Sequence, residues 1–137
     1  MNKKITRLAL WAILIVLHFP AEAQQPARIP RIGILLPSSA SSYSARIEAF
    51  RQRLRELGYV EGKNVVIEYR YAEGKLDRLP ELAAELVRLK VDGIVTGGPA
   101  ILAAKKASPT IPIVFALASD PVGTGLVSSL ARPGGNI

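Results

Sequence analysis

The chain has 137 residues, 49% of them apolar, a formal charge of +7, no cysteine and one histidine. That is enough for one domain core and not for two. The missing cysteines exclude a disulfide framework and a lipid-carrying cysteine. With His18 confined to the first 23 residues, Ser-His-Asp and Cys-His catalysis and His/Cys metal sites are excluded from the rest of the chain.

Those first residues read as a leader. Lys3, Lys4 and Arg7 form a positive start, Leu8 to Phe19 an apolar run, and Ala21-Glu22-Ala23 a small-x-small cleavage site. This is the three-part plan of a secretory signal peptide over residues 1–23. The apolar run is too short to span a bilayer, which needs about 20 residues. Cleavage before Gln24 removes 23 of 137 residues and leaves 114. It also removes three basic residues and one acidic one, so the charge falls from +7 to +5. The expected product is soluble in the periplasm and not itself membrane-spanning. Charges alternate in sign along the predicted helices instead of clustering among aromatics, so nucleic acid is not an expected partner.

Arg31 to Leu36 is nearly unbroken apolar sequence, as in a strand covered on both faces. Pro37 ends it, and Ser38 to Ser42 form a small polar loop. A helix is predicted from about Ser44 to Leu57, with Ile47, Phe50, Leu54 and Leu57 at spacings of three and four. Gly58 suits the left-handed residue that closes it. Val65 to Tyr71, rich in β-branched and aromatic residues, is a second strand. The next helix starts near Asp77, tolerates Pro80 in its first turn, and buries Leu79, Leu82, Ala83, Leu86 and Leu89.

Val91 to Thr96 is a third strand, ending in Gly97-Gly98. A short helix follows from Pro99 to Ala107, with proline at its first position. Ile111 to Leu117 is a fourth strand, and Asp120-Pro121 is predicted to open a last helix running to about Leu130. Strict alternation of strand and helix predicts an α/β fold, a doubly wound parallel sheet with right-handed crossovers.

No nucleotide-binding glycine pattern follows the first strand, and the carboxylates read as solvated helix-surface groups. The candidate site is therefore the set of loops at the carboxyl ends of the strands. In the simplest strand order, 2-1-3-4, the exit loops of strands one, three and four share one crevice at the switch point. Each is predicted to run into a helix N-terminus, where free N–H groups and the helix dipole favour an anion. The candidate ligand-binding residues are Ser38, Ser41, Ser42, Tyr43, Thr96, Gly97, Gly98, Ser119 and Asp120. Each also has a structural reading. Ser41, Ser42 and Asp120 can cap helices, and Gly97-Gly98 can simply permit a tight turn. Tyr43 can stack on a planar ligand or stand as an exposed loop aromatic. Arg51 and Arg55 share a solvated helix face.

Two long stretches, GYVEGKNVVIEYRYAEGKLDRLPELAAELV (Gly58 to Val87) and IPIVFALASDPVGTGLVSSLARPGGNI (Ile111 to Ile137), resemble the ABC-transporter substrate-binding family of tryptophan/tyrosine-type periplasmic binding proteins. The resemblance spans essentially all of residues 24–137. It implies two Rossmann-like lobes joined by a hinge, a small solute such as an amino acid or other small carboxylate held between them, and delivery to a membrane permease with its ATPase. No cofactor is implied. By position, the family's first-lobe contacts fall on Ser38 to Tyr43, on Thr96-Gly97-Gly98 and on Ser119-Asp120. The first two groups would meet a carboxylate, and Asp120 an ammonium unless it only caps. On this resemblance residues 24–137 are the first lobe, cut before the hinge crossover, with an uncovered sheet edge. Two other readings are the N-terminal half of a secreted α/β hydrolase or sugar-modifying enzyme, and a ligand-sensing domain of the same fold.

Overall fold

The computed structural model describes residues 28–116 and 118–137. The predicted leader and Leu117 lie outside the described residues. Four strands, β1 (Arg31–Leu36), β2 (Val66–Tyr71), β3 (Gly93–Thr96) and β4 (Ile113–Phe115), form one parallel sheet in the order β2-β1-β3-β4, as the alternation predicts. Helix α1 (Ala40–Glu56) follows β1. A 3-10 turn (Leu76–Arg78) leads into α2 (Leu79–Arg88), and α3 (Ala100–Ala107) joins β3 to β4.

Side-chain alternation along the central strands divides the core into two layers. Leu35, Ile94 and Ile113 pack beneath α2 and α3 with Leu79, Leu82, Ala83, Leu86, Ala100 and Ala104. Ile34 and Leu36 point to the other face, where Val65 and Ile67 join them. There Ile47, Phe50 and Leu54 of α1 cover them, all partly buried. Leu57, predicted to continue that stripe, is exposed because the helix has ended before it. Two helices thus seal one face and a single helix the other. Val114 of the edge strand β4 is left 63% exposed.

Several predicted boundaries move, and β3 starts at Gly93 where Val91 was expected. Helix α1 begins at Ala40, four residues before the expected Ser44, because Ser39 adopts the extended cap conformation and its Oγ accepts from Ser42 N–H at 3.4 Å. The serine-rich loop is therefore mostly the first helical turn. Strand β4 is confined to Ile113–Phe115, although Pro112 O still accepts from Ile94 N–H at 2.8 Å.

The predicted last helix does not form. Residues 121–125 form turns and residues 126–130 are irregular chain with bends. The cap signal at Asp120-Pro121 competes with Gly123 and Gly125, and a glycine inside a helix costs about 1 kcal/mol relative to alanine. Asp120 takes a positive φ of 44°, and its Oδ1 accepts from Gly123 N–H at 2.8 Å, closing a turn on itself. A Cβ at residue 123 would overlap the Asp120 carboxylate in this position, so a side chain there and the Asp120–Gly123 bond exclude one another. The segment is then clamped to the domain. Lys105 Nζ donates to Leu126 O at 2.6 Å, Val127 is buried, and Ile113 N–H donates to Asn136 O at 2.7 Å.

Candidate functional site

The carboxyl ends of β1 and β3 lie side by side, paired through Leu35 and Thr96. Pro37 turns the chain out of β1, and Gly98, at φ 57°, turns it out of β3 into α3. Between these turns and the first half of α1 lies a cavity of about 250 Å³. Its walls are apolar, from Leu36, Ile47, Phe50 and Val95 among others; Tyr43, Arg46, Thr96, Gly97 and Gly98 also line it. Across Gly98 a second recess, of about 320 Å³, opens between α3 and the turn after β4. Ile101, Leu102, Ser119 and Thr124 line that one.

The predicted residues therefore divide. Tyr43, Thr96, Gly97 and Gly98 meet in the first cavity, and Gly98 and Ser119 in the second. Ser38, Ser41, Ser42 and Asp120 line neither. The single crevice expected from three exit loops is thus two neighbouring recesses sharing Gly98. Of the exit loops of β1, β3 and β4, only the first two run into a helix N-terminus among the described residues, because the helix expected after β4 is absent.

Hydrogen bonding narrows the roles further. The serines bond mostly to one another: Ser39 Oγ lies 2.9 Å from both Ser41 Oγ and Ser42 Oγ, and Ser38 Oγ donates to Ser42 Oγ at 3.4 Å. Ser39, which the sequence reasoning passed over for Ser41 and Ser42, is the residue that caps α1. Thr96 is 2% exposed and its hydroxyl donates to Leu35 O at 2.8 Å. Its proton ties β3 to β1, and only its lone pairs face other partners. Asp120 is exposed and its carboxylate is engaged by the Gly123 N–H.

Residues missed from the sequence include Arg46 and Phe50. Arg46 sits one helical turn after Tyr43, with its guanidinium carbon 5.7 Å from the ring centroid, within cation–π range. Of the other α1 arginines, Arg51 pairs with Glu61, Arg53 with Glu56 and Arg55 with Glu48, each at 2.8 Å. Arg51 and Arg55, expected to be simply solvated, are therefore ion-paired. The signal for Arg46 was its spacing from Tyr43, readable only once α1 is known to start at Ala40. Among the described residues no group of three or more His, Asp or Glu side chains could hold a metal ion, and no helix is long and apolar enough to cross a membrane.

The cavity beside the ends of β1 and β3 has apolar walls, one arginine in its lining and the glycine turn that leads into α3. Residues 31–137 match the model of the family described as ABC transporter substrate binding protein. The chain is 35% identical over 107 residues to a tyrosine-binding protein of Clostridioides difficile, covering 77% of this chain and 31% of that one. Three solved structures share the fold. A conserved domain protein from Vibrio cholerae matches at TM-score 0.73 and 32% identity, covering 80% of this chain and 37% of that one. A ligand-free, open substrate-binding protein with adhesive properties from Clostridium difficile matches at TM-score 0.72 and 31% identity, covering 79% and 37%. An ABC domain in complex with L-Trp from Streptococcus pneumoniae matches at TM-score 0.71 and 30% identity, covering 78% and 36%. The chain spans about a third of the length of each of these relatives. With the family match running from β1 to the last residue, the chain belongs to the ABC transporter substrate-binding protein family.

Proposed function

We propose that this chain is the solute-capturing component of an ABC uptake system and that its solute is a small amino acid, with aromatic ones the first to test. In this reading residues 24–137 are one lobe of a two-lobe binding protein, exported by the leader at residues 1–23 and working in the periplasm. It hands its solute to a membrane permease driven by an ATPase and performs no chemistry on it. The observation that carries the reading is the apolar cavity at the switch point between β1 and β3, where open α/β sheets bind ligands. Relatives that bind tyrosine and L-Trp support the choice of solute. A single lobe supplies part of the enclosure that a closing two-lobe trap offers, so the expected affinity of the chain alone is weak, in the millimolar range.

The test is a protein-detected NMR titration with L-tyrosine and L-tryptophan. Saturable shifts at the amides of Tyr43, Thr96, Gly97 and Gly98 are expected. No shift in that set at the solubility limit of both amino acids would refute the reading.

A further inference from the structure

Helix α1 carries four arginines, and their partners differ. Arg51, Arg53 and Arg55 are each neutralised by a glutamate. Arg46 is in no ion pair among the described residues, and its one recorded partner is the face of Tyr43. It is also the only charged residue lining the cavity between α1 and the ends of β1 and β3. A cation held over an aromatic ring at the mouth of an apolar cavity is an arrangement for a bipolar ligand. The ring restrains the guanidinium, while its five N–H donors remain available for a planar, bidentate partner. A cavity of about 250 Å³ lies at the small end of ligand pockets, which run from about 300 to 1,000 Å³, and so suits one small molecule.

We propose that Arg46 receives the carboxylate of an apolar or aromatic amino acid whose side chain enters this cavity against Phe50, Ile47 and Val95. The inference rests on the solute-binding reading and changes one part of it. The family resemblance assigned the carboxylate to hydroxyls and backbone N–H groups of the serine-rich loop and the Thr96 turn. In the structure those serines bond to each other and the Thr96 proton is spent on Leu35 O, which leaves Arg46 as the available side-chain donor among the residues lining the cavity.

The experiment compares L-tryptophan with tryptamine, which keeps the indole and the ammonium and lacks the carboxylate. On the unmodified chain, L-tryptophan should shift the Arg46 Nε–H resonance together with the Thr96, Gly97 and Gly98 amides. Tryptamine should leave the Arg46 resonance in place. Arg46→Met keeps an aliphatic stem on an exposed helical position. It should weaken L-tryptophan binding about tenfold, the value of a charge-assisted hydrogen bond at a partly wet site, and change tryptamine binding less than twofold. Arg46→Lys should fall between, because an ammonium cannot make the bidentate contact. Amide shifts at Thr96–Gly98 with an unmoved Arg46 resonance would overturn the assignment while leaving solute binding intact, as would equal tryptophan affinity in Arg46→Met. Shifts nowhere would overturn both.

Discussion

Thr96→Val is the substitution that separates a structural hydroxyl from a ligand-facing one. The side chain is 2% exposed and its Oγ1 donates to Leu35 O at 2.8 Å, across the pair of strands that form the floor of the site. Valine keeps the branched shape and removes only the donor. The net value of a buried neutral hydrogen bond is about 1 kcal/mol, and leaving a buried carbonyl without that partner raises the cost toward about 3 kcal/mol. A central figure of about 2 kcal/mol, with a urea slope of about 2 kcal/mol per molar, lowers the unfolding midpoint by about 1 M. Urea unfolding followed by circular dichroism measures this directly. Because the proton is committed within the sheet, solute affinity should change by less than about twofold where the variant is still folded. The opposite result, an unchanged midpoint with lost binding, would refute this reasoning and return Thr96 to the ligand.

Two further outcomes follow from the same geometry. Gly123→Ala should eject the Asp120 carboxylate from its bond to the residue 123 N–H, since the added Cβ overlaps it. The expected cost is about 1–2 kcal/mol for a lost side-chain cap, with faster amide exchange confined to residues 120–127; uniform exchange across the domain would contradict a local clasp. Tyr69 has its pKa pushed up to about 12, first by burial and then by the neighbouring Glu61 carboxylate, whose Oε2 accepts from the phenol at 3.4 Å. A raised pKa in the folded state means that the neutral phenol is favoured by folding. Its contribution is therefore whole below about pH 10 and is lost as pH rises from there through about 12. Alkaline unfolding scans should show Tyr69→Phe losing less stability than the parent over that window. Equal slopes would place the phenol in water.

Much of this fold is written locally. Ile32 to Leu36 is an apolar run long enough for a strand and too short for a helix, so its burial on both faces could be read before any partner was known. The stripe Leu79, Leu82, Ala83, Leu86 and Leu89 repeats at helical spacing; the first four are the side chains buried in α2, and Leu89, at the cap where the helix has ended, is only partly buried. Alternation of such segments with short connections leaves few topologies, and β2-β1-β3-β4 is the simplest.

The errors fall where two local signals compete. Asp120-Pro121 marks a helix start and Gly123 and Gly125 oppose it. The balance went to a turn because the Asp120 side chain closes on Gly123 N–H while Lys105, twenty residues earlier, holds the following carbonyls. Ser39, Ser41 and Ser42 are chemically equivalent as caps, and only the direction in which the chain leaves Pro37 decides which one serves.

The sequence by itself determined the class of fold and the order of its elements as far as β4, and it pointed to the carboxyl end of the sheet as the candidate site. Periodicity and strand alternation are properties of neighbouring residues, and they survive without knowledge of the whole. Tertiary structure alone decided how the candidates are shared between two recesses, that the Thr96 hydroxyl is spent on β1, and that Arg46 is the arginine of α1 left without a carboxylate. Those outcomes depend on which groups from distant segments come within hydrogen-bonding distance, and residue spacing along the chain carries no record of that.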